Sequence, residues 1–278
     1  EEIKGTVKFI FQPAEEGAPD GEEGGAELMV KEGVLKNPDV DAIFGLHISS
    51  GVPINTLTYK PGGTMASATS FEIKIRGKQA HGSRPWEGAD PIVAGAQIIK
   101  NLQTIVSRNL DLTNEAAVVT IGRFESGIRS NIIPESAYME GTIRALDYEM
   151  RDEIYKRLKE IVVNTAKSNN LEAEVILKTP YPITYNDLKL TDQMKKTLFR
   201  VAGENNVKLA RASTGAEDFS YFANKVPGFF FRLGGMPIED HPNKGFSHHT
   251  PDFYIDDSGL ILGVRAMANL AVDYLNTN

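Results

Sequence analysis

No cysteine occurs among the 278 residues. Disulfides, thiolate metal sites and cysteine nucleophiles are therefore excluded. No run of about 18 apolar residues is present, so no segment reads as a spanning helix. Positive charge is also scarce: 30 Lys and Arg against 37 Asp and Glu leave a net −7, a poor match to nucleic acid or an anionic membrane. A Gly-x-Gly-x-x-Gly loop opening a helix after a strand is missing, which argues against a dehydrogenase. The chain starts Glu1-Glu2-Ile3, with no initiator Met, no basic lead and no signal-like apolar core. From this we expect a piece upstream, and with it any targeting signal; a cytoplasmic location is the default expectation.

What is present is an ordinary globular composition, 41% apolar and 24% charged, at a length suited to one large domain or two ordinary ones. The five histidines are His47, His81, His241, His248 and His249. Any metal chemistry has to combine them with carboxylates.

Three zones are expected, at 1–65, 66–180 and 181–278. In the first, apolar runs at 6–11 and 42–46 read as buried strands flanking a helix at about 25–32, with Gly33 as its stop, a strand–helix–strand unit of a parallel sheet. The second alternates apolar and polar residues at 71–76. It continues with a helix at 91–107 opened by Pro91, whose stripe is Ile92, Ala96, Ile99, Gln103 and Val106. Strands at 116–124 and 137–144 follow. Then comes a helix after the cap Asp147 carrying Met150, Ile154, Leu158, Ile161 and Val162, and a strand at 172–177. That β-α-β-β-α-β order predicts a ferredoxin-like domain inserted into an α/β domain. The third zone predicts a helix at 192–202, a buried strand at 229–233 ending at Gly234-Gly235, and a final helix at 258–275 capped by Ser258.

In open α/β sheets ligands bind beyond the strands' C-terminal ends. The first run ends in Phe11-Gln12-Pro13-Ala14-Glu15-Glu16-Gly17, the second in Gly45-Leu46-His47, and the strand at 229–233 leads toward His241, His248 and His249. Carboxylate oxygen with imidazole nitrogen suits catalytic zinc, or manganese and similar ions. Glu15 and Glu16 are neighbours and point different ways, so one can hold an ion while the other faces the activated water and moves its proton, the logic of metal-assisted amide hydrolysis. Each signal alone has a plainer reading: a solvated Glu pair, a satisfied histidine near the core, a capped His-His-Thr-Pro turn. His81, in Gln79-Ala80-His81-Gly82-Ser83-Arg84-Pro85, is a turn histidine or a donor to a developing oxyanion. Asn131 and Arg144, on or beside the same small sheet, suit a substrate carboxylate.

Eight motifs in order carry a resemblance that spans essentially the whole chain. They are Phe11–Gly17, Gly24-Gly25-Ala26, Gly45-Leu46-His47, Ala80–Pro85, Asp90-Pro91-Ile92, Ser130–Pro134, Gly141–Arg144 and His249–Phe253. The sequence resembles the metal-dependent aminoacylase and carboxypeptidase family, in the branch of hippurate hydrolases, N-acyl-amino-acid amidohydrolases and indoleacetyl-amino-acid hydrolases. The resemblance implies a zinc-peptidase-like catalytic domain with the inserted domain serving as lid and homodimer interface. It implies Glu15 as general base, and Glu16, His47 and His249 as metal ligands, with His248 the alternative to His249. It implies His81 as the lid histidine acting across the dimer, Asn131 and Arg144 as the substrate-positioning pair, and Gly215 as a backbone donor to substrate. Zinc or manganese is implied, with cobalt or nickel as further options, one or two ions in the full-length enzyme. The substrate implied is a small N-acyl amino acid or peptide, with no nucleic acid or membrane partner. The family's upstream ligands, from a Cys- or His-Asp-type motif, have no counterpart before His47, so a weak or inactive isolated chain is expected. The competing expectation is a dimeric binding protein of the same fold with an incomplete metal centre; the joint presence of Glu15, Glu16 and His81 argues against it, since a binder needs no base. His241 and His248 are left without a role, and Asp218, Glu239 and Asp240 read as surface residues, with a part in substrate preference as the alternative.

Overall fold

The chain, whose computed structural model describes residues 3–19, 21–238 and 247–277, divides into two units. One comprises Glu1–Met65, Thr184–Ser213 and Glu217–Asn278, the other Ala66–Ile183 with Thr214–Ala216. The first unit begins with α1 (Gly25–Lys31), β1 (Ile43–Pro53), β2 (Leu57–Tyr59) and β3 (Gly62–Met65). The second contains β4 (Ser67–Arg76), β5 (Ala80–His81), α2 (Pro91–Thr104), β6 (Ala117–Ser126), β7 (Ile132–Ile133), β8 (Ser136–Ala145), α3 (Tyr148–Ser168) and β9 (Glu172–Tyr181). The first resumes with β10 (Thr184–Asn186), α4 (Leu188–Ala202), β11 (Val207–Leu209), α5 (Ser220–Ala223), β12 (Gly228–Met236) and α6 (Leu260–Thr277).

In the first unit the main sheet runs β1-β12-β2-β11, with β1 and β12 parallel. Phe229, Phe231, Leu233 and Leu57 pack on α4 and α6 through Met194, Leu198, Ala266 and Leu270. The mixed α/β class expected from sequence is what the structure has. The run at 6–11, expected as a buried strand, is not one: Phe9 and Phe11 are 77% and 86% exposed. β1 is an edge of its sheet, and among the described residues no strand pairs with 6–11. A strand needs a ladder partner for its backbone groups. Here the segment is instead tethered by Lys8, whose Nζ donates to the carbonyls of Val34, Lys36 and Pro38.

Three further expectations of the first unit are corrected. β12 does not end before Gly234-Gly235 but runs through them, because a Cβ at Gly234 would stand 1.9 Å from the Pro53 carbonyl oxygen. The helix expected from 192 starts at Leu188, where Asp187 caps the Leu190 N–H at 2.7 Å. The last helix is preceded by a 3-10 turn, and its cap is Asp256, which accepts from Ser258 N–H, rather than Ser258 itself.

The second unit's sheet is antiparallel, ordered β6-β8-β4-β9, with α2 and α3 packed against it. β4 alternates buried and exposed positions, as a sheet with one covered face requires. Asp147 caps α3 through Met150 N–H at 2.9 Å, and Met150, Ile154, Leu158, Val162 and Ala166 form its buried stripe. On α2 the buried positions are Pro91, Ala94, Gly95, Ile98 and Leu102, whereas Ile92 of the expected stripe is exposed. The reason is steric: a Cβ at Gly95 would stand 2.7 Å from the Phe124 ring. Gly95 lets the Phe124 ring approach, and the stripe is turned by one position from the expected one, so that Ile98, Leu102 and Ile105 are the large side chains buried on that sheet.

Candidate functional site

Within the first unit, Glu15 follows Ala14, a non-glycine residue in the left-handed region at φ 55°, and the turn is closed by Gly17 N–H donating to the Ala14 carbonyl at 3.2 Å. That conformation is uncommon for a residue with a Cβ. It sends the two adjacent glutamates to different surroundings: Glu16 is exposed and Glu15 is half-buried. Burial, followed by the charges of Glu16 and Asp218, pushes the Glu15 carboxyl above the ordinary range; His47 and the Asp218 N–H, which donates to Glu15, pull the other way. A carboxylate raised toward neutrality is better matched to proton transfer than an ordinary one.

His47 lies within β1, opposite Arg232 of β12, rather than beyond the strand's end. Its Nδ1 is in short contact with the Ile48 carbonyl. A carbonyl oxygen only accepts, so this contact places the ring proton on Nδ1 and leaves Nε2 as the acceptor nitrogen, the tautomer a metal-binding imidazole uses. His249, at φ 60°, brings Nε2 to 3.5 Å from a Glu16 carboxylate oxygen. Two ligands on one tetrahedral ion with bonds of about 2.0–2.1 Å stand about 3.3 Å apart, close to that spacing. Glu16 and His249 thus stand side by side, but among the described residues the oxygen and nitrogen donors of Glu16, His47 and His249 do not all come within 4.8 Å of one another; the only three-residue group that does is Glu15, Glu217 and Asp218.

His248 has a different environment. Its Nε2 accepts the Ser50 N–H at 3.3 Å, and its ring lies 5.2 Å from that of His47 and 4.9 Å from Phe253. Burial, then the positive fields of His47, His249 and Arg232, holds it below the usual histidine range. Its ring packs against His47 with one nitrogen already used, which distinguishes it from the exposed His249. His241, Glu239 and Asp240 lie outside the described residues.

Two carboxylates stand beside Glu15 that the sequence reading misplaced or missed. Asp218, expected on the surface, is 3% exposed, and Glu217 is 5% exposed. An oxygen of each lies within 4.8 Å of one of Glu15 and of each other. Burial, then the Glu15 charge, pushes Glu217 up to about 8, against the Phe219 N–H that it accepts at 3.2 Å. Arg232 is held below its ordinary value by burial, with Glu217 as the opposing influence. The available signal was Glu217-Asp218 running directly into the apolar stretch Phe219–Phe222, since an acidic pair at the head of a buried segment is buried with it.

The remaining sequence-predicted residues lie in the second unit. Short β5 and β7 pair His81 with Ile132, and Gly82 N–H donates to the Asn131 carbonyl at 2.8 Å, so His81 and Asn131 share one ribbon. His81 Nδ1 accepts from the Ser83 N–H at 3.1 Å and contacts Ser83 Oγ at 2.8 Å. With Nδ1 accepting, the ring proton sits on Nε2, making exposed His81 a neutral donor. Arg144 projects from β8 and its guanidinium donates to Thr142 and to the Ile143 carbonyl. Gly215 is exposed, and its carbonyl accepts the Ala66 N–H at 2.9 Å. His81 with Asn131 is thus one group, and Arg144 a separate strand position.

The chain is 37% identical over 277 residues to thermostable carboxypeptidase 2 of Saccharolobus solfataricus, covering 99% of this chain and 67% of that one. It is also 37% identical to the N-acetylcysteine deacetylase of Bacillus subtilis, over 99% of this chain and 68% of the relative. A solved structure from Bacillus subtilis, described as a dinuclear metal-binding peptidase of the M20 family, superposes with a TM-score of 0.78 at 33% identity, over 99% of this chain and 67% of that one. The chain therefore spans about two thirds of the length of these relatives. Residues 1–273 match one family across both units, and the chain belongs to peptidase family M20/M25/M40.

Proposed function

We propose that the protein carrying this chain hydrolyses the amide bond of N-acyl amino acids or small peptides with a divalent metal. The observation that carries the reading is the pairing of a half-buried Glu15 with an adjacent exposed Glu16 whose oxygen stands 3.5 Å from His249. Glu16, His47 and His249 are the proposed ligands, for zinc or manganese, with cobalt or nickel as alternatives and a second ion where the whole protein supplies further ligands. A bound ion would supply Lewis acidity, polarising the amide carbonyl and acidifying water. Glu15 takes the proton of the attacking water and delivers it to the departing amide nitrogen, so that one carboxylate serves both steps.

The second unit supplies substrate contacts in this reading. His81, with its proton on Nε2, is a neutral donor suited to the oxygen on which charge develops. In a homodimer built through this unit, the partner subunit's His81 would fill that role. Asn131 and Arg144 hold the substrate carboxylate, and the Gly215 backbone gives a further contact. The names of the carboxypeptidase and deacetylase relatives support the substrate class. The binding-protein alternative is disfavoured because recognition alone needs no carboxylate of raised basicity beside the ligands.

The test uses the whole protein, stripped with chelator and reloaded with zinc, manganese or cobalt, on a panel of N-acetyl and N-benzoyl amino acids and dipeptides. Metal-restored release of the free amino acid is expected. Absence of turnover with every metal, in protein that binds stoichiometric metal, would refute the reading. Mixing His81→Ala with Glu15→Gln protein is expected to restore part of the activity through mixed dimers; no restoration refutes the crossed arrangement.

A further inference from the structure

The buried pair Glu217-Asp218 makes contacts that converge on the Glu15 loop. Asp218 Oδ2 accepts the Ala26 N–H at 2.8 Å, and its Oδ1 accepts the Gln12 side-chain amide at 2.5 Å. The first contact does the work of an N-cap for α1, whose own capping residue, Gly24, has no side chain to offer. The second ties down the segment leading into Glu15. Gly25 permits both: it sits at φ +66°, and a Cβ there would stand 2.6 Å from Asp218 Oδ2 and 3.1 Å from the Ala14 carbonyl. The same Asp218 donates its backbone N–H to the Glu15 carboxylate, and Glu217 makes a side-chain hydrogen bond to Glu15. Glu217 is itself anchored by the Phe219 N–H at 3.2 Å. One turn at the head of α5 thereby grips the Glu15 loop through a backbone donor, a capping carboxylate and a second carboxyl group.

We propose that Glu217 and Asp218 are positioning residues for the hydrolysis, holding the Glu15 carboxylate in the one orientation from which it can serve as the base. The inference rests on the reading of Glu15 given above. Neither residue touches substrate in this account, and neither is a metal ligand. A misplacement of about 1 Å at a reacting group costs on the order of a hundredfold in rate, so the grip on a loop with a left-handed Ala14 has a large consequence. The hydrogen bond, rather than charge, is what Glu217 contributes, and glutamine can supply one of similar length.

The experiment measures kcat, KM and metal content of the metal-loaded whole protein for Glu217→Leu, Asp218→Ala, Glu217→Gln and Glu15→Gln. Glu217→Leu and Asp218→Ala are expected to lower kcat by about 10- to 100-fold with KM within about threefold and metal content unchanged. Glu217→Gln is expected to recover most of the lost kcat, a rescue that a space-filling role would not give. Loss of metal in Glu217→Gln would make Glu217 a ligand and overturn the proposal. Wild-type kcat in folded Glu217→Leu and Asp218→Ala overturns it as well. If the larger substitutions do not fold, Glu217→Ser, whose hydroxyl is too short to reach Glu15, takes their place: a tenfold or greater loss of kcat with full metal, recovered in Glu217→Gln, supports the proposal, and wild-type kcat overturns it. Glu15→Gln separates the two claims. Should Glu15→Gln remain active, the base reading fails; should it be inactive while Glu217→Leu and Asp218→Ala are unimpaired, only the positioning proposal fails.

Discussion

Replacing Glu217 by Gln should make the metal-free protein less sensitive to alkaline pH. Glu217 is buried and its carboxyl is pushed up to about 8, first by burial and then by Glu15, from an ordinary 4.5. Between those values the folded chain holds a proton that the unfolded chain has released, so folding stability falls as pH rises through this window. The full gap is worth about 5 kcal/mol at about 1.4 kcal/mol per pH unit. Of this, about 2–3 kcal/mol is lost between about pH 6 and about pH 9, the rest lying at lower pH. For a unit of this size that corresponds to a decrease in Tm of about 5–10 °C. Glutamine has the same shape and no proton to lose, so the variant should lack this component. The residual slope should come from Glu15 and Asp218, whose carboxyls are raised in the same direction. Thermal unfolding of both proteins with chelator, across that range, gives the difference directly. Parallel Tm–pH curves for wild type and Glu217→Gln would refute the reasoning.

Other consequences follow from named contacts. His248 is held below the usual histidine value, chiefly by burial, so the stability it contributes is complete above about pH 6.5 and lost as pH falls below it; His248→Gln should flatten the acid side of the same Tm profile. His249→Ala should reduce bound zinc at sub-stoichiometric concentration by at least about tenfold, whereas His248→Gln should retain most of it, as metal analysis after desalting would show. In the second unit, a Cβ at Gly141 would stand 2.2 Å from the Phe71 ring and 2.3 Å from the Thr120 carbonyl. Gly141→Ala should therefore destabilise that unit by about 3 kcal/mol or more, detectable as a lowered urea midpoint.

The long elements were legible because their periodicity reflects packing on a single face. The stripe on α3 and the alternation on β4 are examples. The stripe expected on α2 lies one position away from the buried one, because helical spacing fits both faces and only the close approach of Phe124 to Gly95 selects the face with Ile98 and Leu102. The run at 6–11 has the composition of a strand, but strand formation depends on a partner ladder that composition does not report. The three- and four-residue strands β2, β3, β10 and β11 are too short for any period to register. Of the candidate site, Glu15, Glu16, His47 and His249 stand out in the sequence as motif residues, and the structure sets Glu16 beside His249. For Glu217 and Asp218 the apolar run that follows them is a local sign of burial, but their contacts with Glu15, Gln12 and Ala26, about 200 residues away in sequence, leave no trace in their own neighbourhood. His248 acquired a defined environment only from its packing on His47 and its bond to Ser50.

The central claim is that Glu15 moves the proton while its neighbour Glu16 helps to hold the metal. The most direct measurement is turnover and metal content together, for metal-loaded wild type, Glu15→Gln and Glu16→Gln. For Glu15→Gln the account predicts full metal occupancy with kcat lowered by about a thousandfold or more, and for Glu16→Gln it predicts loss of metal. Glu15→Gln protein that keeps its metal and turns over within tenfold of wild type would contradict it.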